Sequence, residues 1–230
     1  MISGIVHLLR LGRAGTVFAR EGVLGLIDPA PLPWPARAAL ACARLIERPS
    51  SRDKANRLAA ALTALGPTYV KLGQFLATRP DVVGVALARD LESLQDRMAP
   101  FPQDQAEATI AAALGRKVYE IFPQFGPPVA AASIAQVHRA TLANGRVVAV
   151  KVLRPGVEQR FKTDLAAFFF AARTAEDFSA EARRLRLIEV VQTLARTVTI
   201  EMDLRLEAAA LSEMAENTKD DPDFRVPTVD

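Results

Sequence analysis

Residues 129–153 read VAAASIAQVHRATLANGRVVAVKVL, and the period of their apolar positions decides what kind of fold this is. Val148, Val150 and Val152 fall on one face of an extended segment, with Val147, Ala149 and Lys151 on the other. Before it, Asn144-Gly145 can take the positive φ angles of a tight hairpin, and residues 136–142 supply the preceding strand. An alanine-rich turn, Ala130-Ala131-Ala132-Ser133, comes first. The stretch therefore predicts turn, strand, hairpin and a second strand carrying one lysine at its centre. Ala149 lies two residues before Lys151 on the same face and leaves room for a flat ring beside an ammonium. That pairing suits a nucleotide phosphate over a cation. The plain alternative is an edge-strand lysine pointing into water.

Val148-Ala149-Val150-Lys151 matches the Val-Ala-Ile-Lys pattern of kinase third strands, whose lysine holds phosphates and pairs with a helix glutamate. The preceding loop departs from the usual kinase. Where a glycine-rich loop would bare its N–H groups, this chain has three alanines. Each carries a Cβ and avoids positive φ, so the loop should be stiffer and shaped differently. Ser133 adds a hydroxyl that could meet a phosphate oxygen or cap a turn.

Two further segments complete a pattern. Lys71-Leu72-Gly73-Gln74 lies in GPTYVKLGQFLATRPDVV, and Glu201-Met202-Asp203 is followed by Glu207-Ala208. With the alanine turn, Gln136-Val137-His138 and the lysine strand, these resemble the signatures of the UbiB family of atypical kinase-like proteins. The family's Lys-x-Gly-Gln, alanine loop, lysine and Glu-x-Asp occur here in order. The resemblance implies that Lys151 and Glu207 form the catalytic ion pair. It implies that Ala130, Ala131, Ala132, Ser133, Ala149 and Lys151 surround ATP or ADP, with Mg2+ bound mainly by residues of a large lobe. It makes Lys71, Gly73, Gln74, Glu201 and Asp203 regulatory, with Glu201 and Asp203 engaging the Lys71 segment. Ala210 stands where many relatives have asparagine. The bland reading of Asp203 and Glu207, four apart with Val198, Met202 and Leu206, is a solvated acidic helix face relieved by Arg205.

Composition limits the other classes. The chain has 230 residues, half of them hydrophobic, which is enough for a real core in one or two domains. A net charge of +3, from 29 basic and 26 acidic residues, with 6% aromatics argues against nucleic acid. One cysteine, Cys42, excludes an internal disulfide and suits a reducing cytoplasm. That cysteine and two histidines cannot build a zinc site of ordinary spacing, so no metal ligands are expected in this chain itself. The first apolar segment is broken by Arg10, Arg13, Arg20 and Glu21, too early for a membrane span. It is a candidate for lying on the cytoplasmic face of an anionic membrane.

The expected organisation is α+β: a helical extension over residues 1–121 packed on a kinase-like small lobe over residues 122–230. Gly66-Pro67 starts a helix well, and Pro29 to Pro35 form a link after the first helix. Helices are expected near 52–64, 67–78, 84–96 and 103–114, the hairpin over 128–153, and a long amphipathic helix near 180–217. Pro222 to Pro227 form a turn-rich exit leading toward another strand. Asp223-Phe224 is followed by Arg225, so no Asp-Phe-Gly metal site is present, and no catalytic-loop motif precedes it. The sequence thus reads as an amino-terminal piece of a longer kinase-like protein. Two functions stay open. One is part of an atypical kinase or ATPase supporting ubiquinone biosynthesis, with quinone-pathway proteins or lipids as partners. The other is a non-catalytic scaffold that binds a membrane surface or a partner.

Overall fold

The fold was obtained as a computed structural model that describes residues 2–24, 29, 34–48, 54–92, 94 and 98–230. Most of the proline link, and Pro49, lie outside them. Among the described residues eight helices precede the sheet: α1 (Ile2–Arg20), α2 (Trp34–Arg44), α3 (Lys54–Leu65), α4 (Pro67–Ala77), α5 (Pro80–Val83), α6 (Val85–Glu92), α7 (Gln103–Leu114) and α8 (Val118–Ile121). Of the helix expected at 84–96, Val85–Glu92 forms α6, and residues 93, 95 and 96 lie outside the described residues.

Gly66 separates α3 from α4, with Pro67 in the first turn as anticipated. It holds φ at 105°, and a Cβ there would overlap the Arg160 guanidinium. Gly73 has a different reason to be glycine. An added Cβ would sit 2.8 Å from Leu62 Cδ1 and 3.1 Å from Leu94 Cδ1, both in the core. Overpacking of about 1–3 kcal/mol opposes a helix-propensity gain of about 1 kcal/mol. Gly73→Ala is therefore expected to lower stability by about 1 kcal/mol in urea denaturation. An unchanged or raised midpoint would remove this packing account.

The sheet is antiparallel with order β1 (Gln124–Ala131), β2 (Ala135–Thr141), β3 (Val147–Leu153). Pairing of β2 with β3 runs unbroken from Ala135 opposite Leu153 to Thr141 opposite Val147. Pairing of β1 with β2 is irregular around Pro128, and β1 is a strand the sequence reading did not place: it runs into Ala130 and Ala131, which were read as turn. Prolines 127 and 128 hide that strand from a pattern search, and an edge strand tolerates them. The β2–β3 turn also differs from expectation. Only Gly145 takes positive φ, at 82°, while Asn144 Oδ1 accepts from Arg146 N at 3.0 Å.

Two apolar clusters hold the molecule. The larger joins α1, α3, α4, α6 and the helices after the sheet through Leu65, Val70, Phe161, Leu194 and Val198. The smaller puts Phe101, Ile110, Val118 and Phe122 against Ala140 and Val152 of the sheet. The alternation in β3 holds: Val152 is buried and Val148 and Val150 are half-buried, with Val147, Ala149 and Lys151 exposed.

After the sheet come α9 (Val157–Phe178), α10 (Ala180–Leu185), α11 (Leu187–Met202) and α12 (Leu204–Asn217). The single long helix expected at 180–217 is thus three helices. Arg186, with φ of 53°, breaks the first junction. Asp203 breaks the second, because its Oδ1 accepts from Arg205 N at 3.1 Å and caps α12. Beyond α12 the chain turns and runs without regular structure to Asp230, which pairs with Arg146 of the hairpin at 2.7 Å.

Candidate functional site

The alternation of β3 points Lys151 away from the core, and α12 brings Glu207 to it: Nζ lies 2.5 Å from Oε2. The two side chains remain 38% and 47% exposed. An ion pair that open adds only about 0–1 kcal/mol to stability. Its effect is positional: it fixes a cation above a strand face that also bears the small Ala149.

A second lysine and carboxylate lie close by in sequence. Lys71 of α4 meets Glu201 near the end of α11, with Nζ 2.7 Å from Oε2. The break at Asp203 explains how one segment serves two lysines. It turns the chain between Glu201 and Glu207, so one carboxylate reaches back to α4 and the other forward to β3. Asp203 itself does not engage the Lys71 segment, contrary to expectation. Its carboxylate takes Arg205 Nε at 2.9 Å and Nη2 at 2.8 Å. That hydrogen-bonded guanidinium holds the Asp203 carboxyl below the usual carboxylate range. It also means that Asp203 and Glu207 do not stack on one helix face. Gly73 is a packing residue, as described above. Gln74 is half-buried and makes no side-chain hydrogen bond among the described residues.

The alanine turn is tighter than expected. Ala130 and Ala131 end β1, opposite Val137 and Gln136, and Ala132 N donates to Ala135 O at 2.8 Å. Ser133 is fully buried, so its hydroxyl does not face the open side of the sheet. Arg154 secures this turn: Nε and Nη2 donate to Ala132 O at 3.0 and 2.8 Å, and Nη2 also reaches Ala99 O at 2.9 Å. Met98 N donates to Ala131 O at 3.1 Å, so the segment leading into α7 buttresses the same turn.

Sequence reasoning missed Arg154, whose only signal is a lone cation before Pro155-Gly156. It also missed what Gln136 and His138 do. Both are buried side by side; Gln136 exchanges hydrogen bonds with Phe101 N (2.9 Å) and Phe101 O (3.2 Å). His138 Nδ1 lies 2.9 Å from Gly126 O, which can only accept, so Nδ1 carries the proton and Nε2 accepts from Gln136 Nε2 at 2.9 Å. Two alternating polar residues in a strand were the available signal. Among the described residues no three metal-ligating side chains gather.

A strand lysine paired with a helix glutamate, above a small antiparallel sheet braced by helices, defines a kinase-like small lobe. Comparison with known proteins agrees. The ABC1 atypical kinase-like domain matches residues 93–230, and the chain belongs to that family. A protein described as probable protein kinase UbiB from Marinobacter nauticus is 40% identical over 98% of this chain and 42% of its own length. Its namesake from Azotobacter vinelandii is 43% identical over 98% of this chain and 43% of its own length. The chain thus spans about two fifths of these curated relatives. The solved complex of Rv3197 with erythromycin from Mycobacterium tuberculosis superposes with a TM-score of 0.51 at 34% identity. That match covers 76% of this chain and 44% of the other. The UbiB resemblance read from the motifs is borne out.

Proposed function

We propose that this chain is the amino-terminal part of an ATP-dependent UbiB-type kinase or ATPase supporting ubiquinone biosynthesis, and that it holds one side of the nucleotide. The observation that carries this reading is the contact of Lys151 with Glu207. In this account the Lys151 ammonium binds phosphate oxygens, and Glu207 fixes its direction. Ala149 leaves space beside it, and Ala130, Ala131 and Ala132 bound the site with Cβ atoms where a glycine loop would offer bare backbone. Ser133 is buried at the end of this turn. The residues present fit a nucleotide phosphate: an open strand face bears a small residue next to an oriented cation. Mg2+ arrives with ATP or ADP and screens phosphate charge. The functional division is the one drawn at 121/122, although α7 and α8 pack on the sheet of the lobe.

The pair of Lys71 with Glu201 gives the extension a route to the same site. Only the turn at Asp203 separates Glu201 from the helix of Glu207, so Lys71, with Gly73 packing α4 and Gln74 beside it, biases where Glu207 sits. Lys71→Ala is expected to change affinity for ATP or ADP about fivefold or more, measured by titration with fluorescent analogues. Unchanged affinities and preference would end the regulatory reading.

A second reading, a membrane-surface or partner-binding module without turnover, is favoured by the exposed Ile5, Leu8 and Leu9 of α1. Among the described residues no helix is long and apolar enough to cross a membrane. Co-sedimentation with anionic vesicles, together with no nucleotide binding, would favour this reading over the first.

A further inference from the structure

α1, α4 and α9 meet around a cavity of about 440 Å³ that none of the roles above uses. Arg10 and Arg13 of α1, Tyr69 of α4, and Arg160, Thr163 and Asp164 of α9 line it. Three guanidiniums therefore face one carboxylate. Asp164 is buried at 7% exposure and fully engaged: Oδ1 takes Arg10 Nη1 at 2.9 Å and Oδ2 takes Thr68 Oγ1 at 2.8 Å. Arg160 Nε lies 3.8 Å from Oδ2, and its Nη2 donates to Leu65 O at 2.6 Å. Arg13 has no hydrogen-bond or ion-pair partner among the described residues.

Tyr69 adds an independent observation. It is 8% exposed, and its ring stands edge-on to Phe168 with centroids 5.0 Å apart. Its hydroxyl nevertheless makes no hydrogen bond among the described residues. Although the ring is buried, the hydroxyl oxygen is not sealed off: it opens on the cavity as an available donor. Burial, and secondarily Asp164, raise its ionisation above the ordinary phenol range, while the three arginines pull the other way. The hydroxyl therefore stays a proton donor at neutral pH. The cavity offers one unused hydroxyl donor, one unused guanidinium and the spare N–H groups of two more, with a surplus of positive charge.

We propose that this cavity is a binding site for a phosphate group, supplied either by a soluble phosphate compound or by a lipid headgroup. Arg13 and the Tyr69 hydroxyl contact the phosphate oxygens, while Arg10 and Arg160 contribute N–H groups not taken by Asp164 and Leu65. A phosphate fits better than a carboxylate, because its extra oxygen and charge match donors arriving from three helices. The site shares no residue with the Lys151 and Lys71 pairs.

The test uses the full chain with two probes, pyrophosphate in calorimetric titration and vesicles of phosphatidylglycerol against phosphatidylcholine in co-sedimentation. Binding to at least one phosphate probe is expected, weakened about tenfold in Arg13→Gln. Tyr69→Phe should also weaken it, and both variants are compared in a Lys151→Met background, where the phosphate contact of the nucleotide site is removed and the binding that remains reports this cavity. Pyrophosphate binding lost in Arg13→Gln identifies a soluble ligand; Arg13-dependent retention on phosphatidylglycerol alone identifies a headgroup. Arg13 is exposed, so its replacement tests the site without disturbing the core. No binding to either probe, or binding that Lys151→Met abolishes and Arg13→Gln does not, would overturn the proposal.

Discussion

Lys151→Met is expected to weaken adenine-nucleotide binding about 10- to 100-fold while leaving the melting temperature nearly unchanged. The two halves of this result have different causes. A charged donor to phosphate contributes about 1.5–3 kcal/mol, which is that range of affinity. Removing it also leaves the Glu207 carboxylate facing the phosphates alone, so the loss falls toward the larger figure. Stability is insulated because the pair is more than a third exposed and worth about 0–1 kcal/mol. Glu207→Gln keeps the shape of the side chain and should lose less. Equal affinity in wild type and Lys151→Met would make Lys151 an ordinary strand lysine.

Gln136→Leu is expected to destabilise the fold by about 3–5 kcal/mol, a larger effect than any change at the exposed pairs. Leucine has nearly the right volume, so the loss is one of hydrogen bonds and not of packing. The substitution strands Phe101 N, Phe101 O and His138 Nε2 in a buried setting, each at about 1–3 kcal/mol before relaxation. It also frees the segment before α7, which touches the alanine turn through Met98. Urea denaturation measures the global loss, and faster hydrogen exchange at the Phe101 amide locates it. A change under about 1 kcal/mol would mean that water replaces the amide there.

Tyr69 supplies a pH dependence whose sign follows from its surroundings. Burial raises its ionisation in the folded chain above the unfolded value near 10. The folded state thus keeps the proton longer than the unfolded state does. The stability this confers is whole below about pH 10 and is lost as pH rises from there through the folded value. The phenolate absorbance missing from Tyr69→Phe should develop only above about pH 10. Its appearance at lower pH would contradict the buried placement.

Much of this arrangement was legible in the sequence because it is local. Alternation in β3, the helix start at Gly66-Pro67 and the motif order all depend on near neighbours. The pairing of Lys151 with Glu207, 56 residues apart, was reachable only through family resemblance. The breaks at Arg186 and Asp203 escaped notice because leucine, valine and alanine continue at helical spacing across both. A single capping carboxylate and one positive φ decide them, and hydrophobic period carries neither. Asp164 was hidden differently. It stands on the buried face of α9 with Phe161 and Phe168, where a carboxylate only makes sense once Thr68 and Arg10 are seen beside it.

The most direct measurement is a backbone amide spectrum of the isotope-labelled chain titrated with ADP and Mg2+. The account predicts saturable shifts clustered at Ala130, Ala131, Ala132, Ala149, Lys151 and Glu207, and their disappearance in Lys151→Met. No shifts at millimolar nucleotide, or shifts confined to the cavity of Arg13 and Tyr69, would contradict it.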